Sequence, residues 1–256
     1  MTENKNAETL FSIRDLVVEY HSGDSIIHAV NGVSLSLNAG ETLGLVGETG
    51  AGKTTIARAS LRILPDHSVE RVEGEILFEG KDVLQMGDTE LRELRGKKIS
   101  MIFQDPMTAL NPVKTVISQI AEGHKIHHGC TKAEANQQAV KMLELVGIGA
   151  DRAEEYPRQF SGGMKQRVVI ALALACSPQL LIADEPTTAL DVTIQAQDCT
   201  ASAWNPLDLC SCCRRLAGCL HWLSNEGYNR YPLLLLLRAS VSGSILLYPV
   251  IALPDR

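Results

Sequence analysis

Apolar and polar positions alternate with period two over Phe11–Tyr20 and again over Ile26–Leu37, the pattern of half-buried strands. Thr42–Val46 (TLGLV) is a short apolar run feeding a glycine-rich turn, and Lys53–Leu64 continues with helical spacing. Glu75–Phe78 and Ile99–Phe103 predict further strands. Thr131–Val146 predicts a helix: Thr131 with Glu134 makes a capping box, and Ala135, Ala139, Met142, Leu143 and Val146 line one face. A second long helix is expected over Met164–Cys176, followed by a buried strand over Leu180–Ala183. Strands alternating with helices favour a mostly parallel sheet covered on both faces.

Composition narrows the class. The 256 residues are 45% apolar and 21% charged, ordinary for a chain that buries a core, which excludes a disordered chain and a disulfide miniprotein. A net charge of −6 argues against a nucleic-acid partner, which would need a concentrated basic face. Met1–Leu10 is polar and acidic rather than basic then apolar, so no secretory leader is expected and the seven cysteines are expected to be thiols.

The composition breaks at one point. Up to Gln197 there are two cysteines (Cys130 and Cys176), no tryptophan and all ten lysines. From Asp198 onward there are five cysteines, both tryptophans, three of five tyrosines and no lysine, and the periodicities stop. Residues 1–197 and 198–256 therefore read as two different regions.

Three loops carry chemistry. Gly47-Glu48-Thr49-Gly50-Ala51-Gly52-Lys53-Thr54 fits a phosphate-binding loop between a buried strand and a helix. Glycines let backbone N–H groups close around phosphates, and the helix N-terminus adds favourable partial charge. Lys53 is expected to reach the β/γ-phosphates and the Thr54 hydroxyl to ligate Mg²⁺, with Thr55 beside it. An ordinary strand-to-helix turn would not need the Gly-Lys-Thr triplet. Leu180–Glu185 is an apolar strand ending in two acids, about 130 residues beyond that loop. Asp184 is expected to hold Mg²⁺ through water and Glu185 to orient and deprotonate an attacking water. Phe160–Gln166 opens the second helix; Ser161 is a natural N-cap, and Gly162 and Gly163 bare backbone N–H groups at a positive helix end. One nucleotide does not need two phosphate grips, so the second is expected to serve another molecule's nucleotide; the bland alternative is a glycine-rich cap.

This set resembles the ATP-binding subunit of ABC transporters, and specifically the peptide/nickel importer group, over residues 11–197. Gly47–Thr54 is similar to the Walker A loop and Leu180–Glu185 to Walker B. Phe160–Gln166 resembles the signature motif, with Met164 where many such proteins have Gln. Ile102–Pro112 resembles the Q-loop of peptide importers, and Thr188–Asp191 the D-loop. Tyr20 sits where the family places an aromatic that stacks on adenine. The resemblance implies a P-loop α/β fold with a mostly parallel core sheet, an N-terminal antiparallel β portion and a helical subdomain at about 105–175. It implies ATP and Mg²⁺ as cofactors, with Gln104 sensing Mg²⁺ and water. It also implies a head-to-tail pair with a second ATPase, identical or not, in which Ser161 and Gly163 of one chain complete the site around Lys53 of the other and Asp191 communicates across the pair. Two transmembrane permeases and, indirectly, a solute-binding protein would be the remaining partners, at the cytoplasmic face of the membrane. Di- or oligopeptides are the implied cargo; nickel or another small solute is the alternative. A soluble ATPase of DNA repair or translation is disfavoured, because those carry two ATPase halves or a long coiled-coil insertion.

The tail departs from the family. A helix should follow the D-loop, then an apolar strand ending in a switch histidine somewhat under 30 residues after Asp191. The only tail histidine, His221, has no buried strand before it and is not assigned. One or two sheet strands are therefore expected to be missing. Cys210-Ser211-Cys212-Cys213 with Cys219 matches neither zinc nor iron–sulfur spacing. Tyr231–Leu253 is long enough to span a bilayer but carries Arg238, three serines and Pro249, a poor composition for a spanning helix. The expectation is that residues 198–256 derive from a reading-frame shift or a misassembled gene end, leaving ATP binding impaired and turnover weak.

Overall fold

The computed structural model describes residues 9–23, 25–47, 50–184, 233–238 and 246–250, the last two segments as backbone. The described residues fall into two compact units, 9–101 with 178–184 and the two tail segments, and 102–177.

The described residues of the first unit form two sheets. Strands β1 (Thr9–Ser22), β2 (Ser25–Asn38), β4 (Val69–Phe78) and β5 (Lys81–Asp82) form an antiparallel sheet in the order β2-β1-β4-β5. Strict alternation does not survive in β1. Asp15 has φ 47, the pairing slips between Ile13 and Leu16, and Phe11, Ser12 and Ile13 are all buried. Such a bulge bends a strand and re-aims its side chains. In β2, on the sheet edge, Ile26 and Ile27 are half exposed while Val30, Leu35 and Leu37 are buried, so the strand meets the core from Val30 onward.

The other sheet runs β6-β7-β8-β3-β9, with β3 (Thr42–Gly47), β6 (Ile99–Ile102), β7 (Leu180–Asp184), β8 (Leu233–Arg238) and β9 (Leu246–Val250). β8 pairs parallel with both β3 and β7, and β9 pairs antiparallel with β3. Two tail segments take positions in this sheet. The apolar run of β8 suits its place, since a parallel strand flanked on both sides reads as continuous Leu rather than alternating polarity. The strand beside the phosphate loop ends in Arg238, opposite Gly47, and contains no histidine. His221, the tail cysteines, Glu185 and Asp191 lie outside the described residues. Among the described residues no helix is long and apolar enough to cross a membrane.

Helix α1 (Lys53–Ser60) packs in the same core, with Ile56 and Ala57 fully buried beside Phe11, Ile13, Leu45, Phe78 and Ile182. It is shorter than the predicted Lys53–Leu64: Leu61 caps it, and Arg62 turns the chain with φ 51. A short helix α2 (Asp88–Leu94) buries Leu91 and Leu94 against that core.

The described part of the second unit is helical: α3 (Pro106–Ala109), α4 (Val116–His128), α5 (Lys132–Leu145) and α6 (Gly162–Leu174). α4 packs on α5, and both pack on α6. α5 starts as predicted, the Thr131 hydroxyl accepting from Glu134 N while the Glu134 carboxylate accepts from Thr131 N at 2.8 Å. Ala135, Ala139, Met142 and Leu143 are buried, whereas Val146 has become the half-buried cap.

Candidate nucleotide-binding site

The phosphate loop springs from the end of β3 and closes onto α1. Gly52 caps the helix with φ 83, a left-handed conformation that L side chains avoid. Space forbids a side chain as well: a Cβ at position 52 would lie 2.1 Å from the Ala29 carbonyl oxygen in β2. The loop can pack this tightly only with glycine there. No side chain caps α1, so its first turn presents its positive end to an anion. Gly50, at φ 87, has open space where a Cβ would stand. Ala51, Thr54 and Thr55 are half-buried, and Glu48 and Thr49 lie outside the described residues.

Lys53, the first residue of α1, is 5% exposed, and its Nζ donates to the Gly47 carbonyl at 2.8 Å across the loop. A buried ammonium is costly in a low-dielectric surround and is stabilised by an anionic partner. Thr54 Oγ1 donates to Asp184 Oδ1 at 3.1 Å, joining the loop to the end of β7 across 130 residues of sequence. Asp184 is 3% exposed. Directing the hydroxyl proton at a carboxylate leaves the Thr54 oxygen lone pairs for a hard cation, and oxygen donors are what Mg²⁺ takes. These residues fit a nucleotide phosphate with its magnesium ion.

Tyr20 is half-buried in β1 opposite Ile27, two residues from the Ala29 that Gly52 packs on. The aromatic predicted for adenine is thus carried by the hairpin that supports the loop.

The second unit holds the other two motifs. Gln104 is exposed, two residues beyond β6. Ser161 is the N-cap of α6, its hydroxyl accepting from Met164 N at 3.4 Å, and Gly163 has open space around it. Two residues not singled out from sequence hold these loops. Arg152 makes a forked ion pair with Glu155, donates to the Gln159 carbonyl and to Met164 Sδ, and stacks 4.7 Å from the Phe160 ring. The hydrogen bond from Arg152 holds the Glu155 carboxyl below its ordinary range and raises the guanidinium. Gln119, buried in α4, accepts from Asn111 N and donates to the carbonyls of Asn111 and Lys114, fixing the turn where the Q-loop segment ends. In sequence Arg152 lies in a charged stretch that reads as solvated, and Gln119 is one polar residue on a helix; neither carries a motif.

Residues 30–188 match the ABC transporter family. The chain belongs to that family. Among curated relatives, the dipeptide transport ATP-binding protein DppD of Bacillus subtilis is 50% identical over 192 residues, 74% of this chain and 57% of the relative. The oligopeptide transport ATP-binding protein OppD of Escherichia coli is 48% identical over 195 residues, 75% of this chain and 57% of the relative. A probable peptide ABC transporter ATP-binding protein, y4tR of Sinorhizobium fredii, is 50% identical over 199 residues, 77% of this chain and 59% of the relative. The chain thus matches under three-fifths of the length of these relatives. A solved ATP-binding cassette, MJ0796, in a dimeric post-hydrolysis state bound to ADP and Pi, superposes with a TM-score of 0.69 at 24% identity. The match covers 88% of this chain and 87% of that one, and speaks to the fold. As an ABC transporter cassette the chain is a nucleotide-binding P-loop protein of α/β architecture.

Proposed function

We propose that the chain is the ATP-binding and ATP-hydrolysing subunit that energises a membrane importer of di- or oligopeptides. The observation that carries this reading is the junction of Lys53, Thr54 and Asp184, in a chain about half identical to peptide-transport ATPases. Lys53 would meet the β/γ-phosphates with its buried positive charge, and the Thr54 hydroxyl and Asp184 would hold Mg²⁺. Mg²⁺, when bound, neutralises charge on the phosphate oxygens. Glu185 acts as the base that orients and deprotonates water, and Gln104 reports the state of the site to the permeases. Ser161, Gly162 and Gly163 serve the nucleotide of a second ATPase, identical or not, and Asp191 signals across that pair. The pair docks on two permeases at the cytoplasmic face of the membrane, so that ATP binding closes it and hydrolysis reopens it.

Steady-state hydrolysis in the presence of candidate permeases tests this reading. ATP turnover that Glu185→Gln abolishes while nucleotide still binds supports it. Absence of turnover with intact binding favours the second reading, a catalytically impaired nucleotide-binding fragment. That reading draws on the sequence break at Gln197 and on the strand ending in Arg238 rather than histidine. A nickel or other small-solute importer would use the same ATPase chemistry and is separated by the permeases that co-purify.

A further inference from the structure

The second unit gathers three side chains of metal-ligating chemistry that the nucleotide site does not use. His124 and His128 stand one turn apart on α4, hence on one face, with ring centroids 4.5 Å apart. Cys176 lies two residues beyond the end of α6. One ligand atom from each residue, two imidazole nitrogens and a thiol sulfur, lies within 4.8 Å of the other two. We propose that His124, His128 and Cys176 form a site for a thiophilic divalent cation, Zn²⁺ foremost, with water as the fourth ligand.

The surrounding backbone sets the site up. His124 Nδ1 lies 3.1 Å from the Ala175 carbonyl oxygen. A carbonyl only accepts, so Nδ1 carries the proton and Nε2 keeps its lone pair for a metal, the outer-shell arrangement of metal-binding histidines. That carbonyl belongs to the residue just before Cys176, so the segment that orients the imidazole also presents the thiol. Gly123, one residue before His124, brings α4 close to it: a Cβ there would stand 3.7 Å from Cys176 Sγ. The Cys130 thiol is directed instead at the His124 carbonyl, 3.8 Å away, and stays outside the set.

Burial and chemistry agree with this choice. Cys176 is 8% exposed and His128 is exposed, so a cation enters from solvent at His128 and meets a sheltered sulfur. Around tetrahedral zinc the ligand atoms stand about 3.3–3.7 Å apart, so side-chain rotations of about an ångström complete the site. Two imidazoles and a thiolate favour Zn²⁺ and neglect Mg²⁺, which seeks oxygen. On binding, the Cys176 S–H bond breaks, its proton passes to solvent and the sulfur lone pair forms the bond to the metal, with no change of oxidation state. The ion ties the C-terminal end of α4 to the end of α6, and because only the folded unit assembles the three ligands, it stabilises that unit.

The full chain with the other six cysteines replaced by serine isolates the site from the tail thiols. Titrated with Co²⁺ as a probe and then Zn²⁺, it is expected to take up one ion per chain with a sulfur-to-cobalt charge-transfer band. Cys176→Ser in that background abolishes the band, and His128→Ala, at an exposed position, weakens Zn²⁺ binding by about 100-fold or more. In the unaltered chain, peptide mass spectrometry after maleimide labelling is expected to show Zn²⁺ slowing modification of Cys176, and His128→Ala removing that protection; this comparison stands even if the serine variant fails to fold. Labelling of Cys176 at one rate with and without Zn²⁺, or binding indifferent to His128→Ala, would overturn the proposal.

Discussion

At the scale of single residues, the phosphate loop is built so that one hydrogen is the largest side chain position 52 tolerates. Gly52→Ala combines a left-handed backbone, costing about 1–2 kcal/mol, with a contact on the Ala29 carbonyl that something must relieve. Adding overpacking of about 1–3 kcal/mol, the variant is expected to lose about 2–5 kcal/mol of stability in denaturant unfolding. Unchanged stability would mean that the loop is looser than its contacts imply. Arg152 braces the segment before α6 through Glu155, Gln159, Phe160 and Met164. Arg152→Ala is expected to lower kcat about 10–100-fold, as displaced positioning groups do, with little change in the KM for ATP. A loss of folded protein that matches the fall in kcat, read by circular dichroism and melting, would place Arg152 in general folding instead. The residues of the loop and Asp184 were legible in sequence because phosphate binding demands fixed types at fixed spacing. Arg152 and Gln119 were not: the side chains that meet Arg152 follow no fixed spacing, and the partners of Gln119 are backbone groups, which no residue pattern records.

Among elements, α5 shows how far local chemistry alone can specify a helix. Thr131→Ala removes half of the capping box and is expected to cost about 1 kcal/mol. The Glu134 carboxyl is held below its ordinary range first by the Thr131 backbone N–H and then by the Thr131 hydroxyl. Its contribution is therefore present in full above the unfolded-state value of about 4.3 and is lost as pH falls through the lowered folded value. Glu134→Ala should destabilise the protein at pH 7, and the difference from the parent should vanish in acid below that lowered value; a difference that persists there would contradict the linkage. α5 and α6 were readable because caps and apolar stripes coincide. α2 and α4 were not resolved as separate helices: α2 buries only Leu91 and Leu94, and the buried face of α4 ends at Ala121, before Gly123. α1 was overextended because Leu61, Ile63 and Leu64 keep the helical apolar spacing after Arg62 has turned the chain. Ile26 and Ile27 show the reverse, a strand pattern continued beyond the core on an edge strand.

Over the whole molecule, the family pattern and the sheet part company after Gln197. The leucine run of β8 and the segment Leu246–Val250 of β9 occupy sheet positions, yet the region has no lysine and five of the seven cysteines. We propose that residues 198–256 arose by a reading-frame shift or a misassembled gene end. Resequencing the encoding DNA from an independent isolate is expected to restore a family-like continuation; an uninterrupted in-frame copy of the same tail would refute the idea. Polar and apolar composition could not foresee β8, because an all-leucine run fits a flanked parallel strand and a membrane segment equally well.

The most direct measurement is ATP binding and turnover by Lys53→Ala in a sample whose circular dichroism and melting match the parent. Removing the buried ammonium that spans the loop to Gly47 is expected to weaken ATP binding at least about ten-fold and to abolish hydrolysis. ATP affinity and turnover equal to those of the parent would contradict the assignment of this loop as the triphosphate site.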